Sequence, residues 1–210
     1  MEPLNHNVIR FQLEKPPGYS FEAGQAIELM IAEPEKRGPS PFTFTSLNTT
    51  RYLELTIKIY KERDGLTSAL ARKHVGDTVS ISDPWDSFLN KGPGVFIAGG
   101  AGITPFIALL RQLKADGNIG NSSLFFSNKT RKDIFMEGEL RSLVGDRYYN
   151  ILTEDAGESN AGRLDAHYLK EHIVNLEQPF YLCGPPGFAE SLQDAITTLG
   201  AKQDLVNVSF

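Results

Sequence analysis

The first part of the chain has a pattern of hydrophobic and polar residues that is typical of β-strands. Between residues 53 and 60, Leu or Ile alternates with neighbours such as Glu54 and Lys58, which is the period of a half-buried strand. Residues 21–31 and 78–81 contain similar segments, and Pro, Gly and Asp separate them. One short helix is predicted at 67–73. Several short strands within the first 90 residues predict a small barrel or sandwich.

A different pattern, in which strands alternate with helices, begins near residue 95. The run Val95–Ala98 is entirely apolar, as expected for a parallel strand that is covered on both faces. Thr104 and Pro105 fit the N-cap and the first position of a helix. The apolar residues of that helix recur on one face, at Phe106, Leu109, Leu110 and Leu113. Asp116 and Gly117 mark its predicted end.

Three further apolar segments predict the other strands of the second half, at 124–126, 149–152 and 180–182. Another amphipathic helix is predicted between Phe188 and Leu199. This alternation predicts a parallel sheet with helices on both sides. A boundary within 90–94 divides the chain into a β domain, residues 1–90, and an α/β domain, residues 91–210.

Composition and charge exclude several classes of function. The net charge is −5 and the basic residues are spread along the chain, so a nucleic-acid partner is not expected. The apolar runs are shorter than the about 20 residues that a membrane span requires. Residues 1–10 lack the basic and then apolar pattern of a signal peptide. A cytoplasmic location is therefore expected.

The single cysteine, Cys183, restricts the redox chemistry of the chain. An intramolecular disulfide is impossible, and so is a four-thiolate iron–sulfur cluster within this chain. Any iron–sulfur partner must therefore be another molecule. The four histidines show no metal-ligand spacing, so no metal site is predicted.

Two glycine-containing loops are expected at the carboxyl edge of the parallel sheet. Ala98–Pro105 joins a strand to a helix, and glycines let a pyrophosphate approach the free N–H groups of the helix start. Cys183–Phe188 follows a later strand and opens another helix. Each loop alone is also explained as a tight or rigid turn, with Cys183 as an ordinary buried residue. Two such loops at one edge favour a ligand that lies over both.

These two loops together resemble the nicotinamide motifs of the ferredoxin–NADP reductase superfamily, and the first half resembles its flavin-binding barrel. Pro41–Ser46 is similar to the flavin motif and Phe21–Gln25 to the start of a barrel strand. Gly65–Thr67 resembles the turn that contacts the pyrophosphate, and Asp83–Trp85 the segment that closes the barrel. The resemblance covers nearly the whole chain, with the motifs in the same order.

The resemblance implies a Greek-key antiparallel β-barrel that binds flavin, followed by a Rossmann-like parallel sheet that binds NAD(P). The flavin would be FAD rather than FMN, with Phe42 against the isoalloxazine and the Thr43 hydroxyl near N5. The implied flavin-binding residues are Pro41, Phe42, Thr43, Ser46, Ile57, Lys58, Tyr60, Gly65, Leu66, Thr67 and Phe210.

The resemblance also implies that NADPH or NADH binds at the carboxyl edge of the parallel sheet. The implied residues are Gly100, Ala101, Gly102, Ile103, Thr104, Pro105, Ser127, Asn128, Lys129, Cys183, Gly184, Pro185 and Pro186. Thr43 and Cys183 would lie at the reacting atoms, where hydride transfer requires a separation of about 3–3.5 Å. The segment 127–132 carries a hydroxyl and basic residues but no acid, which favours NADPH; a solvated basic loop is the alternative.

Three features depart from the pattern of the superfamily. Ser40 stands where an arginine is expected, and serine cannot bind a phosphate bidentately; Arg37 is a nearby substitute. Only six residues precede the strand at 7–11, so either the barrel is shortened or the true start lies upstream. The glutamate that many relatives carry before a C-terminal aromatic residue is missing before Phe210.

The leading hypothesis is a flavin-dependent NAD(P)H oxidoreductase that passes hydride from NAD(P)H to FAD and electrons on to a partner such as flavodoxin or ferredoxin. One alternative is a reductase of free flavin or ferric chelates, which binds flavin loosely and would suit Ser40. Another is a non-catalytic nucleotide-binding subunit of a larger redox complex. The sequence does not distinguish these three functions.

Overall fold

The computed structural model of the protein describes residues 1–31, 38–155, 157 and 162–209. Its first half consists of short strands and one short helix. They are β1 (Glu2–Pro3), β2 (Val8–Glu14), β3 (Gln25–Met30), β4 (Ser40–Thr43), β5 (Tyr52–Lys58), α1 (Leu66–Leu70), β6 (Ser80–Ile81) and β7 (Trp85–Asp86).

The strands of the first half form two antiparallel sheets around one apolar core. One sheet has the order β1-β2-β5 and the other the order β4-β3-β6, with β7 also paired to β3. The largest core side chains come from both sheets and their connections: Phe11, Phe21, Ile27, Leu29, Phe44, Leu53 and Leu55. The ring centroids of Phe21 and Phe44 lie 4.2 Å apart. The predicted antiparallel β architecture is confirmed.

Strands β4 and β5 form almost no backbone pairs with each other. β4 pairs with β3, from Ser40 opposite Leu29 to Thr43 opposite Ala26, and β5 pairs with β2 along its whole length. Among the described residues, one isolated bridge from Phe44 to Leu55 links the end of β4 to β5. The second backbone edge of β4 is therefore not part of a ladder in this part of the chain.

The second half of the chain alternates strands with helices, as the sequence predicts. Its elements are β8 (Val95–Gly99), α2 (Thr104–Ala115), β9 (Ser123–Asn128), α3 (Glu137–Val144), β10 (Tyr148–Leu152), α4 (Ala166–His172), β11 (Phe180–Cys183), α5 (Pro186–Leu199) and β12 (Val206–Ser209). Among the helices in the described ranges, none has both the length and the apolar composition of a membrane-spanning segment.

The five strands of the second half form one parallel sheet in the order β10-β9-β8-β11-β12. All five residues of β8 are buried, because helices cover one face of the sheet and further helices and the barrel cover the other. The predicted helical face of α2 is also buried, through Phe106, Leu109, Leu110 and Leu113. The prediction of a parallel α/β sheet is confirmed.

The start of α2 differs from the prediction by one residue. Gly100–Ile103 form a 3-10 turn that continues into the helix, and Ile103 already has helical dihedral angles (φ −71°, ψ −19°). The prediction of Thr104 as the N-cap is therefore wrong, because the chain is helical before it. The Thr104 hydroxyl donates to the carbonyl oxygen of Ala101 at 3.2 Å instead.

The fifth parallel strand, β12, is absent from the sequence-based prediction. Its four residues are half-buried and alternate between valine and a polar residue, so they form no continuous apolar run. β12 is recognised as a strand only because its backbone pairs with β11, from Val206 opposite Phe180 to Ser209 opposite Cys183. It is an edge strand, which requires less apolar sequence than a central one.

The order of the parallel strands creates a crevice at their carboxyl ends. The chain leaves β8 towards β9 on one side, and β11 returns to the other side of β8. Ligands of open α/β sheets bind at this kind of topological switch point. The two glycine-containing loops, at 98–105 and 183–188, both begin there.

The barrel and the parallel sheet share one apolar contact region. Val8 and Phe88 belong to the same buried cluster as α2, and the ring centroids of Phe88 and Phe106 lie 5.3 Å apart. The connecting segment is attached to the sheet by Tyr181, whose hydroxyl accepts from Lys91 N and donates to the Gly92 carbonyl, both at 2.9 Å. The division of the chain at residues 90 and 91 stays a prediction.

We expect Tyr181→Phe to lower the free energy of unfolding by about 1–2 kcal/mol at pH 7, because two backbone groups lose their partner. Burial raises the pKa of Tyr181 from 10.0 to about 12. The folded state therefore holds the Tyr181 proton more tightly than the unfolded state does. The resulting contribution to the free energy of unfolding is present below pH 10 and is lost as the pH rises from 10 to about 12. Urea unfolding at pH 7 and pH 11 measures both effects.

The variant should lose less stability than the unmodified protein between these two pH values. Tyr52→Phe is the control, since Tyr52 is exposed and should change neither quantity. The interpretation fails if Tyr181→Phe and the unmodified protein show the same stability at pH 7 and the same decline at pH 11.

Candidate active site at the carboxyl edge of the parallel sheet

The first glycine loop leaves backbone N–H groups available for an anion. Gly100 has a φ of +54°, which favours glycine, and it has open space where a side chain would be. Neither the turn at Gly100–Ile103 nor α2 has a side-chain cap or an acidic residue in its first turn. The positive end of α2 therefore faces this loop without a protein carboxylate, as a pyrophosphate requires.

The second loop lies directly against the first. Cys183 pairs with Ala98 in the sheet, so the two loops leave adjacent strands at the same level. A side chain on Gly102 would collide with the carbonyl group of Cys183, and one on Gly184 would lie 3.2 Å from the Cα of Gly99. The backbones of the two loops are thus in contact, and the structure brings together the residues expected to bind nicotinamide.

Within these loops, some side chains face the core. Ile103 and Pro105 are buried, so they offer a ligand their backbone only. Pro185 and Pro186 are exposed at the start of α5. The predicted binding surface therefore consists of the backbone of residues 100–104 and of the rigid turn at 184–186.

The thiol of Cys183 is neutral at physiological pH. Burial raises its pKa to about 12, and a hydrogen bond with the Gly184 backbone opposes this only in part. The side chain packs against the apolar cluster on the side of the sheet that faces the barrel. A neutral, half-buried thiol cannot act as a nucleophile, so its contribution at this edge is shape and weak polarity.

The barrel residues of the flavin motif lie on β4 and in the segment that directly follows it. Thr43 is half-buried, and Ala26 pairs with both Thr43 and Trp85, which places the three residues side by side. Phe42 is half-buried opposite Ile27, and part of its ring packs against the barrel core. Pro41 is exposed on the same strand.

Ser46 is buried, unlike Pro41, Phe42 and Thr43. It is 2% exposed, and its hydroxyl oxygen accepts a hydrogen bond from the Glu54 backbone N–H at 2.9 Å. A flavin at this position would have to share that hydroxyl with β5.

The residues expected at the ribityl and phosphate groups surround the start of α1. The side chains of Ile57 and Leu66 are buried, whereas Lys58, Gly65 and Thr67 are half-buried and Tyr60 is exposed. The Thr67 hydroxyl accepts from the Tyr60 N–H at 3.3 Å, which connects the end of β5 to α1. These residues do lie together.

A cation also lies at this place. The guanidinium of Arg63 is 5.0 Å from the centre of the Tyr60 ring, in cation–π contact. Sequence reasoning did not select Arg63, because it lies outside the motif. Phe210 and Arg37, which the sequence analysis considered near the flavin, lie outside the described residues.

The segment Ser127–Lys129 lies at the carboxyl end of β9, where Ser127 pairs with Gly99. Ser127 and Asn128 are buried, so Lys129 is the exposed member. Its ammonium is 2.7 Å from the Glu154 carboxylate, a hydrogen bond that raises the pKa of Lys129. Asp155 accepts from the Arg131 N–H at 2.6 Å.

This segment is therefore less basic than its sequence suggests. Sequence analysis found no acidic residue at 127–132, but the structure brings Glu154 and Asp155 next to it from the end of β10. The residues are about 25 positions apart, so no local pattern could have revealed the contact. Parallel pairing of β9 with β10 aligns their carboxyl ends and causes it.

A buried ionic cluster, also missed by the sequence analysis, joins the barrel to α2. Arg111 Nη1 donates to Glu54 Oε1 at 2.7 Å and to the Thr45 carbonyl at 2.5 Å, and Arg111 Nε donates to Glu139 Oε1 at 2.6 Å. Burial alone would lower the pKa of Arg111, but the hydrogen bonds to Glu139 and Glu54 raise it above its usual value. The Arg111 guanidinium therefore stays charged.

Known oxidoreductases are similar to this chain in sequence. The family model of the oxidoreductase NAD-binding domain matches residues 96–194. The reductase component of propane 2-monooxygenase from Rhodococcus jostii is 26% identical over 232 residues, which cover 98% of this chain and 60% of that protein. NADH-cytochrome b5 reductase 2 from Rattus norvegicus is 25% identical over 248 residues, covering 98% of this chain and 90% of the relative.

Solved structures show the same fold. The crystal structure of a ferredoxin NADP+ reductase from Neisseria gonorrhoeae with bound FAD and NADP has a TM-score of 0.82 at 21% identity. The match covers 97% of this chain and 92% of that chain. The chain therefore has the fold of this reductase, an antiparallel barrel followed by a parallel sheet, and its residues 96–194 match the oxidoreductase NAD-binding domain.

Proposed function

We propose that this protein is a flavin-dependent NAD(P)H reductase, which takes hydride from a reduced nicotinamide and passes electrons to a separate redox partner. The observation that carries the proposal is the contact of the two glycine loops at the switch point of the parallel sheet. The names of the relatives agree, since one is the reductase component of an oxygenase and another an NADH-dependent reductase. The chain spans 60% of the length of the Rhodococcus relative, so activity and partner are inferred here.

The dinucleotide fits the crevice above β8 and β11. The N–H groups at the start of the turn at Gly100–Ile103, on Gly100 and Ala101, would hold the pyrophosphate, because the turn has no side-chain cap and no acidic side chain lies in the first turn of α2. Gly102 and Gly184 allow the loops to approach each other, so that one ligand contacts both. The neutral Cys183 thiol would border the nicotinamide without reacting with it.

A flavin fits beside β4. The second backbone edge of β4 is outside the ladders of the described residues, so its polar groups are available to a flat ligand. Phe42 and Thr43 supply aromatic and hydroxyl groups there, and Tyr60, Arg63 and Thr67 lie where its phosphates are expected. When bound, the flavin would accept hydride and release single electrons. The protein residues bind, orient and exclude water.

The separate acceptor is proposed to be a one-electron redox protein, such as a ferredoxin or flavodoxin. The only cysteine of the chain is half-buried in the sheet, so the chain has no thiolates for a cluster of its own. The reduction of free flavin or ferric chelates is a second candidate, favoured by Ser40, which provides no bidentate phosphate contact.

The visible spectrum of the purified protein tests the proposal first. We expect flavin absorption bands that bleach on anaerobic addition of NADH or NADPH. Bands that persist with both coenzymes would contradict the proposal. A colourless protein that oxidises NADH only when free FAD or riboflavin is added would support the second candidate instead.

Ser40→Arg separates tight from loose flavin binding. A guanidinium at this position can form two hydrogen bonds with a phosphate, so we expect the dissociation constant of FAD to fall about tenfold or more. Riboflavin, which lacks phosphate, should bind as before. Fluorescence titration of the apoprotein measures both. Arg51→Ser, on the exposed turn before β5, is the control, and an unchanged FAD affinity in Ser40→Arg would remove position 40 from the phosphate site.

The choice of coenzyme follows from the charges at the end of β9. Lys129 is the exposed cation of Ser127–Lys129, and its charge is compensated by Glu154 at 2.7 Å. Asp155 adds a second carboxylate beside the same loop. Glu154 and Asp155 would repel a 2′-phosphate and offset its attraction to Lys129, Arg131 and Lys132, whereas a free 2′-hydroxyl can donate to a carboxylate. We therefore infer that NADH is preferred, in contrast to the leaning towards NADPH drawn from the sequence.

We expect kcat/KM to be higher for NADH than for NADPH, and Glu154→Gln to raise the value for NADPH about tenfold by releasing Lys129. The value for NADH should remain equal or fall. Glu171→Gln is the matched control, because Glu171 is an exposed glutamate paired with His167 on α4. If the unmodified protein uses NADPH at least as well as NADH, the assignment of Glu154 is wrong.

A further inference from the structure

We propose that Arg111 is a positioning residue for hydride transfer, which fixes the helix of the nicotinamide loop against the strand that follows the flavin motif. The inference rests on the proposed function, since it concerns the same site. Arg111 touches none of the residues expected at the reacting rings. Its effect is exerted through α2 on one side and through Thr45 and Glu54 on the other.

The position of Arg111 in α2 connects it to the nicotinamide loop. Arg111 follows Thr104 by seven residues, about 10 Å along a helix of 1.5 Å rise per residue. The helix between them is continuous, and its apolar face is buried from Phe106 to Leu113. A displacement of Arg111 would therefore move the loop at its N-terminus as one rigid body.

The barrel partners of Arg111 lie next to the flavin motif. The guanidinium donates to the Thr45 carbonyl at 2.5 Å, and Thr45 is two residues beyond Thr43. It also donates to Glu54 at 2.7 Å, while the Thr45 hydroxyl donates to the same carboxylate oxygen at 2.8 Å. The segment that follows β4 and the strand β5 are thus both hydrogen-bonded to one guanidinium.

Burial makes these contacts hard to replace by water. Glu54 is 4% exposed, and its second carboxylate oxygen lies 3.5 Å from Arg10 Nε. A carboxylate at such a site is tolerated only when it is paired and hydrogen-bonded. The position of Glu54 therefore determines where the cation on α2 has to be.

The direction of the contact is set by the shape of the guanidinium. Its Nε binds Glu139 on α3 at 2.6 Å, within the α/β half, while its Nη1 binds the barrel. The planar group thus fixes an angle as well as a distance between the two halves, which an ammonium cannot do. The edge-to-face contact between Phe88 and Phe106 joins the same halves mainly through apolar burial, and it restricts this angle less than the hydrogen bonds of the guanidinium.

The consequence for the reaction is geometric. The flavin is expected on the barrel and the nicotinamide on the parallel sheet, so the separation of the reacting atoms depends on how the two halves meet. A misplacement of 1 Å can cost about 100-fold in rate. Loss of the Arg111 contact should therefore lower the rate of hydride transfer more than it lowers the affinity for either ligand.

The test compares variants of the flavin-loaded protein in anaerobic stopped-flow reduction by saturating NADH, with affinities measured separately. For Arg111→Met we expect reduction at least tenfold slower, with dissociation constants of FAD and NADH within threefold. Arg111→Lys should give an intermediate rate. Hydrogen exchange of the apoprotein should rise in residues 44–56 and at the N-terminus of α2, a readout that needs no cofactor.

Two further variants separate positioning from stability. Glu139→Gln removes the charge of this partner but keeps an amide oxygen that accepts from Arg111 Nε, so the guanidinium keeps its orientation; Tm should fall and the reduction rate should stay within twofold. Arg111→Met combined with Glu54→Gln removes the buried carboxylate together with its cation and leaves Arg10 paired with Glu2, so it should fold even if Arg111→Met alone does not. It should still reduce slowly.

The outcomes distinguish this inference from the proposed function. Arg111 has no positioning role if the double variant reduces its flavin at the unmodified rate, or if Glu139→Gln slows reduction as much as Arg111→Met. Failure of the unmodified protein to be reduced by NADH with flavin bound would instead overturn the proposed function.

Discussion

The site depends on one close contact, in which the backbones of two loops touch at the carboxyl ends of β8 and β11. Side chains on Gly102 or Gly184 would occupy space that the other loop fills. Because β8 and β11 are paired at Ala98 and Cys183, the loops cannot move apart without breaking the sheet. The requirement for glycine at these two positions therefore comes from the strand order as much as from any ligand. The same contact gives a dinucleotide two adjacent surfaces.

The second constraint is electrostatic. The interface between barrel and parallel sheet contains a glutamate and an arginine in a largely buried position, which is costly unless each charge has partners. Glu54 and Arg111 meet this condition through Thr45 and Glu139. The hydrogen bonds of this cluster also make the contact directional. An apolar pair of similar volume would hold the halves together with less definition of their angle.

Local chemistry at the site is shaped by neighbours more than by residue type. Cys183 is held neutral by burial, although cysteine is a nucleophile elsewhere. Lys129 is an exposed cation at the end of β9, yet Glu154 offsets its charge. In both cases the environment changes what the side chain can do.

The sequence by itself determined the elements that have strong local patterns: the alternation around β5, the apolar β8, the buried face of α2 and the glycine loops. These depend on residues within one turn or one strand, where periodicity and backbone preference act directly. Only the tertiary structure decided the edge strand β12, the acids beside Lys129 and the partners of Arg111. Those features arise from contacts between residues about 25 to 66 positions apart along the chain. Strand order and packing set such contacts, and a local pattern of hydrophobic and polar residues contains no record of them.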